Sequence, residues 1–494
     1  MTDTREWRDA VPRRAPVRLV DSARFLSKAE CEAIARRVFA LARGGGQSQV
    51  AISSWWQGEL RWARNRVNLA SDRRDIRVRI ERTVIDGHSG AVTTNQTDDA
   101  SLEAAVRAAE RNAAVRPAGL RPVPFEPPPV PRMLRPTTAI WSEATYALDT
   151  ESRSDIVRAI IGPAEERKML SAGYLEVRGA SRVTVNSDHS TGYDAPWDLP
   201  YTQWTQAQLS LTVRDQHGTS SGWAGLSSYD WSAINAKELA VRALEKALAS
   251  RDPVALEPGR YTVILEAQAV ADLIEIVAGS MSRLDAESGR GPWALQYDEA
   301  YHRMRTKLGR KVVDERITIG HDPVDPALGL VFGNLATGAQ PVTWIEHGVL
   351  TNLSYPRDYA LSQLHTDTGV RAMAAYRMSG GDTTIEEMIR TTKRGLLVTR
   401  FSNIRTLESG SLLATGLTRD GLWLIENGNI SKAVKNFRFT ESPLFALNSL
   451  EQLGPAERVF RPTVVNDSAQ PLTPAIVPPL KVRDFSFTST IDAI

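Results

Sequence analysis

The sequence predicts an α+β protein: an N-terminal α/β domain followed by a larger β-rich domain of antiparallel, barrel-like or open-sheet form. Three observations carry this. Apolar and polar residues alternate over short runs, as where Ala207, Leu209, Leu211 and Val213 interleave with Gln206, Gln208, Ser210 and Thr212. Helical spacing appears in separate segments, the first bearing Cys31, Ile34, Val38 and Leu41 on one face. Residues 378–439 read as a glycine-punctuated β scaffold with one buried helix.

At about 150 residues per domain, 494 residues allow two to four domains. The expected divisions are a mobile basic lead (1–20), an N-terminal α+β domain (21–116), a proline-rich linker (117–136), a middle segment (137–250) and a C-terminal β-rich domain (251–494). No apolar run approaches the roughly 20 residues of a membrane helix. The start is charged and lacks the apolar segment of a signal peptide, so cytoplasm is the expected compartment. Cys31 is the only cysteine, which excludes an internal disulfide and a cysteine-based zinc cage. Residues 1–135 hold 24 Lys and Arg against 16 Asp and Glu, and the remainder holds 36 against 42. The basic excess reads as a solvated face, since Arg77 and Arg79 alternate with Ile76, Val78 and Ile80. No nucleic-acid motif accompanies it.

Taken in order, Ser27 and Glu30 form a capping box opening a helix to about residue 42. Cys31 on its apolar face is a small core residue in this reading. Gly44-Gly45-Gly46 stops the helix; a phosphate-cradling loop would continue into Lys-Ser or Lys-Thr. Residues 50–56, 59–64 and 76–84 read as strands, with Asp86-Gly87 turning the last into 91–94. Asp98 and Asp99 cap a helix bearing Leu102, Val106, Ala109 and Ala113. Eight prolines within 117–136 predict a stiff, extended linker. A helix at 154–161 and strands at 174–177, 182–186 and 206–213 follow, then a turn at His217-Gly218. The loop 189–201, with His189, Asp194 and Trp197, offers either a ligand-binding loop or a lid packed by its tryptophans; the packed lid is the expectation.

Residues 237–249 show an amphipathic helix, 261–265 a strand, and the next segment a helix to about Ser280. Farther on, Thr383 and Glu386 make a second capping box, with Gly395 closing that helix behind Lys393 and Arg394. Residues 396–401 form a strand, 423–430 a hairpin turning at Asn427-Gly428, and Phe485-Ser486-Phe487 a closing strand.

The seven histidines (88, 189, 217, 302, 321, 347 and 365) show no pair at metal-ligand spacing on one helix. No Gly-x-Ser-x-Gly elbow is present, while a Ser-His-Asp triad from scattered positions stays open. Glu275, set in an apolar helix with Val270, Leu273, Ile274 and Val277, is the carboxylate of most interest; a solvent-facing helix edge is the simpler reading.

The order Met378-Ser379-Gly380-Gly381, the 385–401 helix and strand, the Asn427-Gly428 hairpin, Lys311 to Ile317, Trp344 to Leu350 and Tyr355 to Ala360 resembles the TldD/PmbA family. The likeness spans roughly 48–494 and is densest after 235. The family is known as modulators of DNA gyrase and as a two-subunit protease. Its active members carry His-Glu-x-x-x-His on the helix after a strand like Val263-Ile264-Leu265, with a distant cysteine as third zinc ligand. Zinc hydrolysis needs such a set of ligands and a carboxylate to take the water proton. Laid ungapped from Val263, the two histidine positions fall on Glu275 and Ser280 and the glutamate on Ile276. A one-residue shift puts the first histidine on Ile274 and the glutamate on Glu275. In either register no histidine lies between His217 and His302, and the distal cysteine is absent. The resemblance therefore implies the zinc-free, TldE/PmbA-type subunit, with no cofactor of its own and zinc in a TldD-like partner. It implies a heteromeric metalloprotease acting on unfolded peptides or trimming leader segments from peptide precursors. Glu275, His189, Asp194 and Trp197 are its peptide-groove candidates. The rival readings are a stand-alone hydrolase with non-zinc chemistry, a regulatory interaction protein, and a homodimer keeping only the scaffold.

Overall fold

The structure, a computed structural model, describes residues 25–84, 88–115, 140–187, 201–300, 302–323, 325–328, 341–366, 368–462 and 473–491. The predicted basic lead, the proline-rich stretch 117–136, the Asp86-Gly87 turn and the loop holding His189, Asp194 and Trp197 lie outside these residues. Among the described residues, no helix is long and apolar enough to cross a membrane.

The N-terminal elements are α1 (Lys28–Leu41), β1 (Gln47–Ala63), β2 (Arg66–Thr83), β3 (Ser89–Thr94), α2 (Asp99–Ala114), α3 (Glu143–Tyr146), α4 (Thr150–Glu166), β4 (Leu170–Asn186), β5 (Thr202–Arg214), β6 (Ser221–Ser228) and α5 (Ala236–Ala249). The first capping box forms as predicted: Ser27 Oγ accepts the Glu30 N–H, and the Glu30 carboxylate accepts the Ser27 N–H at 2.7 Å. Asp98 caps α2 by accepting the Ser101 N–H at 2.9 Å. Cys31 is fully buried, and that burial pushes its thiol up to about 12, which leaves it a neutral core residue.

Six antiparallel strands form one sheet in the order β3-β2-β1-β4-β5-β6. β1 pairs with β4 from Gln49 and Asn186 to Trp62 and Gly173, so strands from both sides of 117–136 share it. Residues 50–56 and 59–64, predicted as two strands, are one. Gly58 sits between them not as a turn but because a Cβ there would lie 2.3 Å from the guanidinium of Arg153. That fully buried arginine pairs with Asp72 at 2.6 Å. Likewise 174–177 and 182–186 merge into β4 through Gly179, whose Cβ would meet the Trp204 carbonyl.

One face of the sheet is apolar and covered by helices. α1 and α2 pack on Val50, Ile52, Val78, Ile80, Val183 and Val185. α4 and α5 pack on Trp56, Leu60, Leu175, Val177, Leu209 and Leu211. On the other face the centre is buried as well, while Arg77 and Arg79 of β2 stay exposed, and the buried polar side chains there bond to one another. Glu176 accepts from Gln57 Nε2 at 2.6 Å and from Gln208 Nε2 at 2.8 Å, and Arg178 donates to Gln206 at 2.8 Å.

The C-terminal elements are β7 (Gly259–Leu265), α6 (Ala267–Ser280), α7 (Arg283–Glu287), β8 (Ala294–Asp298), β9 (Arg303–Thr306), β10 (Ile319–His321), β11 (Val342–Glu346), β12 (Val349–Leu350), α8 (Arg357–Tyr359), β13 (Tyr376–Met378), α9 (Ile385–Arg390), β14 (Arg394–Glu408), β15 (Leu413–Glu426), β16 (Asn429–Ala433), β17 (Phe437–Glu441), α10 (Pro443–Asn448), β18 (Leu450–Leu453), β19 (Glu457–Arg458), β20 (Ala475–Val477) and β21 (Leu480–Thr490). Strands β14-β7-β21-β17-β15 close on themselves through a β14–β15 pairing, which makes the barrel-like sheet the sequence pointed to. Phe401, Phe437, Phe439, Phe485 and Phe487 fill its interior, with Phe401 and Phe439 ring centres 4.6 Å apart. A second sheet, β12-β11-β10-β13-β20-β19, flanks it, and α6 lies in the shared core.

The Asn427-Gly428 turn is present, both residues at positive φ (49° and 79°). The second capping box is not where it was placed: Thr384, not Thr383, caps α9, because the Thr383 N–H is taken by the Leu453 carbonyl. The helix also ends at Arg390. Gly395 lies inside β14, where a Cβ would come within 2.6 Å of the Thr262 carbonyl, so it serves close strand packing rather than a helix stop.

Candidate functional site

Helix α6 lies in the C-terminal core and packs against β7, β14, β20 and α10. Its apolar residues, Ala269, Val270, Leu273, Ile274 and Val277, face the core. Its polar residues, Gln268, Asp272 and Glu275, recur at helical spacing and meet three separate segments. Gln268 accepts the Phe460 N–H at 3.1 Å and donates to Asp272 at 3.0 Å. Asp272 accepts the Phe401 N–H at 2.8 Å, tying α6 to β14. Glu275 accepts from the Tyr376 hydroxyl of β13 at 2.9 Å and pairs with Arg461 Nη2 at 2.6 Å. The Arg461 guanidinium lies 5.4 Å from the Tyr376 ring centre and donates to the Ala374 carbonyl. Its backbone N–H reaches back to Ser227 Oγ of β6 at 3.1 Å.

At the start of α6, Glu266 pairs with Lys246 of α5 at 2.6 Å. Both line a cleft of about 170 Å³, together with Gln268, Glu457 and Arg458. A wider cleft of about 400 Å³ opens elsewhere, lined by His217, Asp252, Lys435 and Asn436.

The three sequence-predicted positions thus lie on one helix but are differently engaged. Glu275, with 45% of its side chain exposed, is the partner of an arginine and a tyrosine. Ile276 is partly buried against the core. Ser280 Oγ accepts the indole N–H of the buried Trp293 at 3.0 Å and donates to the Val277 carbonyl at 2.7 Å. Among the described residues, no three His, Cys, Asp or Glu side chains gather where they could hold a metal ion. His347 sits in a turn at positive φ, and His321 is buried on β10.

Sequence reasoning missed Asp272, Tyr376 and Arg461. Asp272 was signalled: Gln268, Asp272 and Glu275 form the one polar stripe on an apolar helix. Tyr376 and Arg461 come from distant segments and carry no local sign. Burial pushes the Tyr376 hydroxyl well above its usual range, with the Glu275 charge adding to it, so it stays a neutral donor.

Packed protein around Asp272 pushes its carboxyl up to about 6 from 3.8, against the hydrogen bonds from Phe401 and Gln268 that pull it down. Between those values the folded chain holds a proton that the unfolded chain has lost. Stability therefore falls as pH rises from about 4 to about 6, then levels. Asp272→Asn does not titrate and is expected to flatten this pH dependence between about pH 4 and 6, while losing one of the two hydrogen bonds that Asp272 accepts from Phe401 and Gln268. Unfolding midpoints of both chains from pH 4 to 8 check this; parallel curves would sink the assignment.

Two sequence profiles of one family match the chain: the PmbA/TldA metallopeptidase C-terminal domain over residues 258–489, and PmbA/TldA metallopeptidase domain 1 over residues 50–113. Three solved structures share the fold. A proposed modulator of DNA gyrase from Thermotoga maritima superposes with a TM-score of 0.74 at 17% identity, covering 92% of this chain and 100% of that one. One from Bacteroides thetaiotaomicron gives 0.71 at 17%, covering 92% and 99%. TldE from Thermococcus kodakarensis gives 0.70 at 16%, covering 94% and 100%. At these identities the likeness is one of fold. No curated protein matches the chain.

Proposed function

Because the chain belongs to the TldD/PmbA family, we propose that it is the zinc-free subunit of a heteromeric metalloprotease acting in the cytoplasm on unfolded peptides or peptide precursors. The observation that carries this is the state of α6. The positions where the zinc ligands and the proton-accepting carboxylate would fall hold Glu275, Ser280 and Ile276. Glu275 Oε1 takes Arg461 and the Tyr376 hydroxyl, Ser280 Oγ takes the Trp293 indole N–H, and Ile276 packs on the core. A zinc ion needs three protein donors with an open water position, and this set does not fit one. The likeness in fold to a chain named TldE supports the same reading. The zinc would reside in a TldD-like partner, and this chain would help wall the chamber in which peptide is held, with strand addition as the mode of capture.

The test is to purify the chain, strip it of metal, and assay an unfolded peptide alone and after mixing with the zinc-bearing TldD-like subunit of the same genome. The lone chain is expected to be inert. The mixture is expected to co-elute as one complex and to cleave at least about tenfold faster than either part, with loss on chelation. Cleavage by the stripped lone chain would favour a stand-alone hydrolase. Failure to form a complex, or a homodimer inert in every combination, would overturn the subunit reading.

A further inference from the structure

We infer that the Arg461 guanidinium is the built-in cation of this site, pairing with the Glu275 carboxylate and fastening α6 to its surroundings without a metal. The inference rests on the zinc-free reading above but is tested on the lone chain.

The geometry is that of a cation-centred junction. Both donors that reach Glu275 land on the same oxygen, Oε1: Arg461 Nη2 at 2.6 Å and the Tyr376 hydroxyl at 2.9 Å. The other terminal nitrogen of Arg461 is spent on the Ala374 carbonyl, just ahead of β13, and the flat guanidinium rests over the Tyr376 ring at 5.4 Å. The Arg461 side chain is only 15% exposed, so its charge is answered within the protein rather than by water. Its main chain is fixed as well. The Arg461 N–H bonds Ser227 Oγ, and that hydroxyl bonds the Val459 carbonyl. Phe460 sits between them, 6.1 Å from Tyr174 and 5.9 Å from Trp223 ring centre to ring centre.

One side chain therefore joins α6 and β13 while its backbone pins residues 459–461 to β6 of the N-terminal sheet. A metal ion does such work by drawing ligands from distant segments to one point. A guanidinium does it with directed N–H groups and cannot be removed by a chelator.

The experiment is a double-mutant cycle on Glu275→Gln and Arg461→Met, read by hydrogen exchange of amides 459–461 and 374–376 and by the unfolding midpoint. Each single change is expected to speed exchange in both segments by about fivefold. The double change is expected to add little more, which is the signature of a shared contact. Arg461→Lys should restore only part of the protection, since an ammonium lacks the flat fork that meets Glu275, Ala374 and Tyr376 together. Tyr376→Phe, which removes a hydroxyl and no charge, serves as the mild variant should the others fail to fold; it is expected to speed exchange at 374–376 by a smaller factor. In parallel, the wild-type chain incubated with zinc and desalted is expected to retain less than about a tenth of an ion per chain, as a site without three donors should. Additive single effects would overturn the inference. So would one zinc per chain that Glu275→Gln releases. Additive effects leave the zinc-free reading to be judged by the partner-mixing experiment, whereas bound zinc would overturn that reading as well.

Discussion

Asp420→Ala is expected to cost about 3 kcal/mol of folding stability and to lower the unfolding midpoint by several degrees. Asp420 is fully buried at the barrel surface that meets the N-terminal sheet. Its Oδ2 accepts Arg400 Nε at 2.9 Å and lies 3.6 Å from Arg419 Nε. Arg400 in turn stands 4.6 Å over the Trp223 ring of β6, and burial, with the charges of Arg400 and Arg214, holds the Arg419 guanidinium below its usual range against the pull of Asp420. Removing the carboxylate leaves Arg400 and Arg419 side by side in a partly dry interface without the charge they share. Asp420→Asn keeps an acceptor and is expected to fall between. Thermal unfolding followed by circular dichroism checks both. A midpoint equal to wild type in Asp420→Ala would mean the arginines find water, and that the interface is wetter than its geometry indicates.

Gly222→Val is expected to be as damaging, again by about 3 kcal/mol, for a steric reason. Helix α5 lies so close to β6 that a Cβ at Gly222 would come 2.3 Å from the Ala243 carbonyl and 2.4 Å from the Ala247 N–H. These are backbone atoms and cannot swing aside. The helix must lift, and with it go two attachments at its end. Ala249 accepts the indole N–H of Trp423 from the barrel at 3.1 Å, and Ser250 Oγ receives the Ser221 N–H at 3.0 Å. Gly222→Ala should show a smaller loss of the same kind. Melting of the valine variant at the wild-type temperature would show that α5 can sit farther out at no expense.

How much of this was legible in the sequence differs from element to element. Caps and periodicity are local, and they read well: Ser27 with Glu30, Asp98, the helix ending at Ser280 and the Asn427-Gly428 turn all stand where the pattern put them. Glycines read poorly. Gly58, Gly179 and Gly395 look like breaks in the sequence, yet each lies within a strand because another part of the chain passes too near for a Cβ. Only the partner in space explains them. The buried polar face of Gln57, Glu176 and Gln208 was hidden for a related reason, since alternation marks which residues share a face but not whether both faces are covered. At the site, Glu275 and the polar stripe of α6 could be seen, whereas Arg461 and Tyr376 join it only through tertiary structure.

The closed ring of the barrel also sets an order on biosynthesis. β7 is made early in this half, but its antiparallel neighbour is β21, with Leu265 facing Leu480, and β17 needs β21 on its other side. Until that strand emerges from the ribosome, β7 and β17 both present open edges, and Phe437 and Phe439 lack the cover of Phe485 and Phe487. So long-range a pairing is slow to find and leaves apolar surface exposed meanwhile. The nascent chain should thus depend on chaperone shelter until its last strand is delivered, and truncations that remove β21 should be cleared by cellular proteases rather than accumulate as a smaller folded protein.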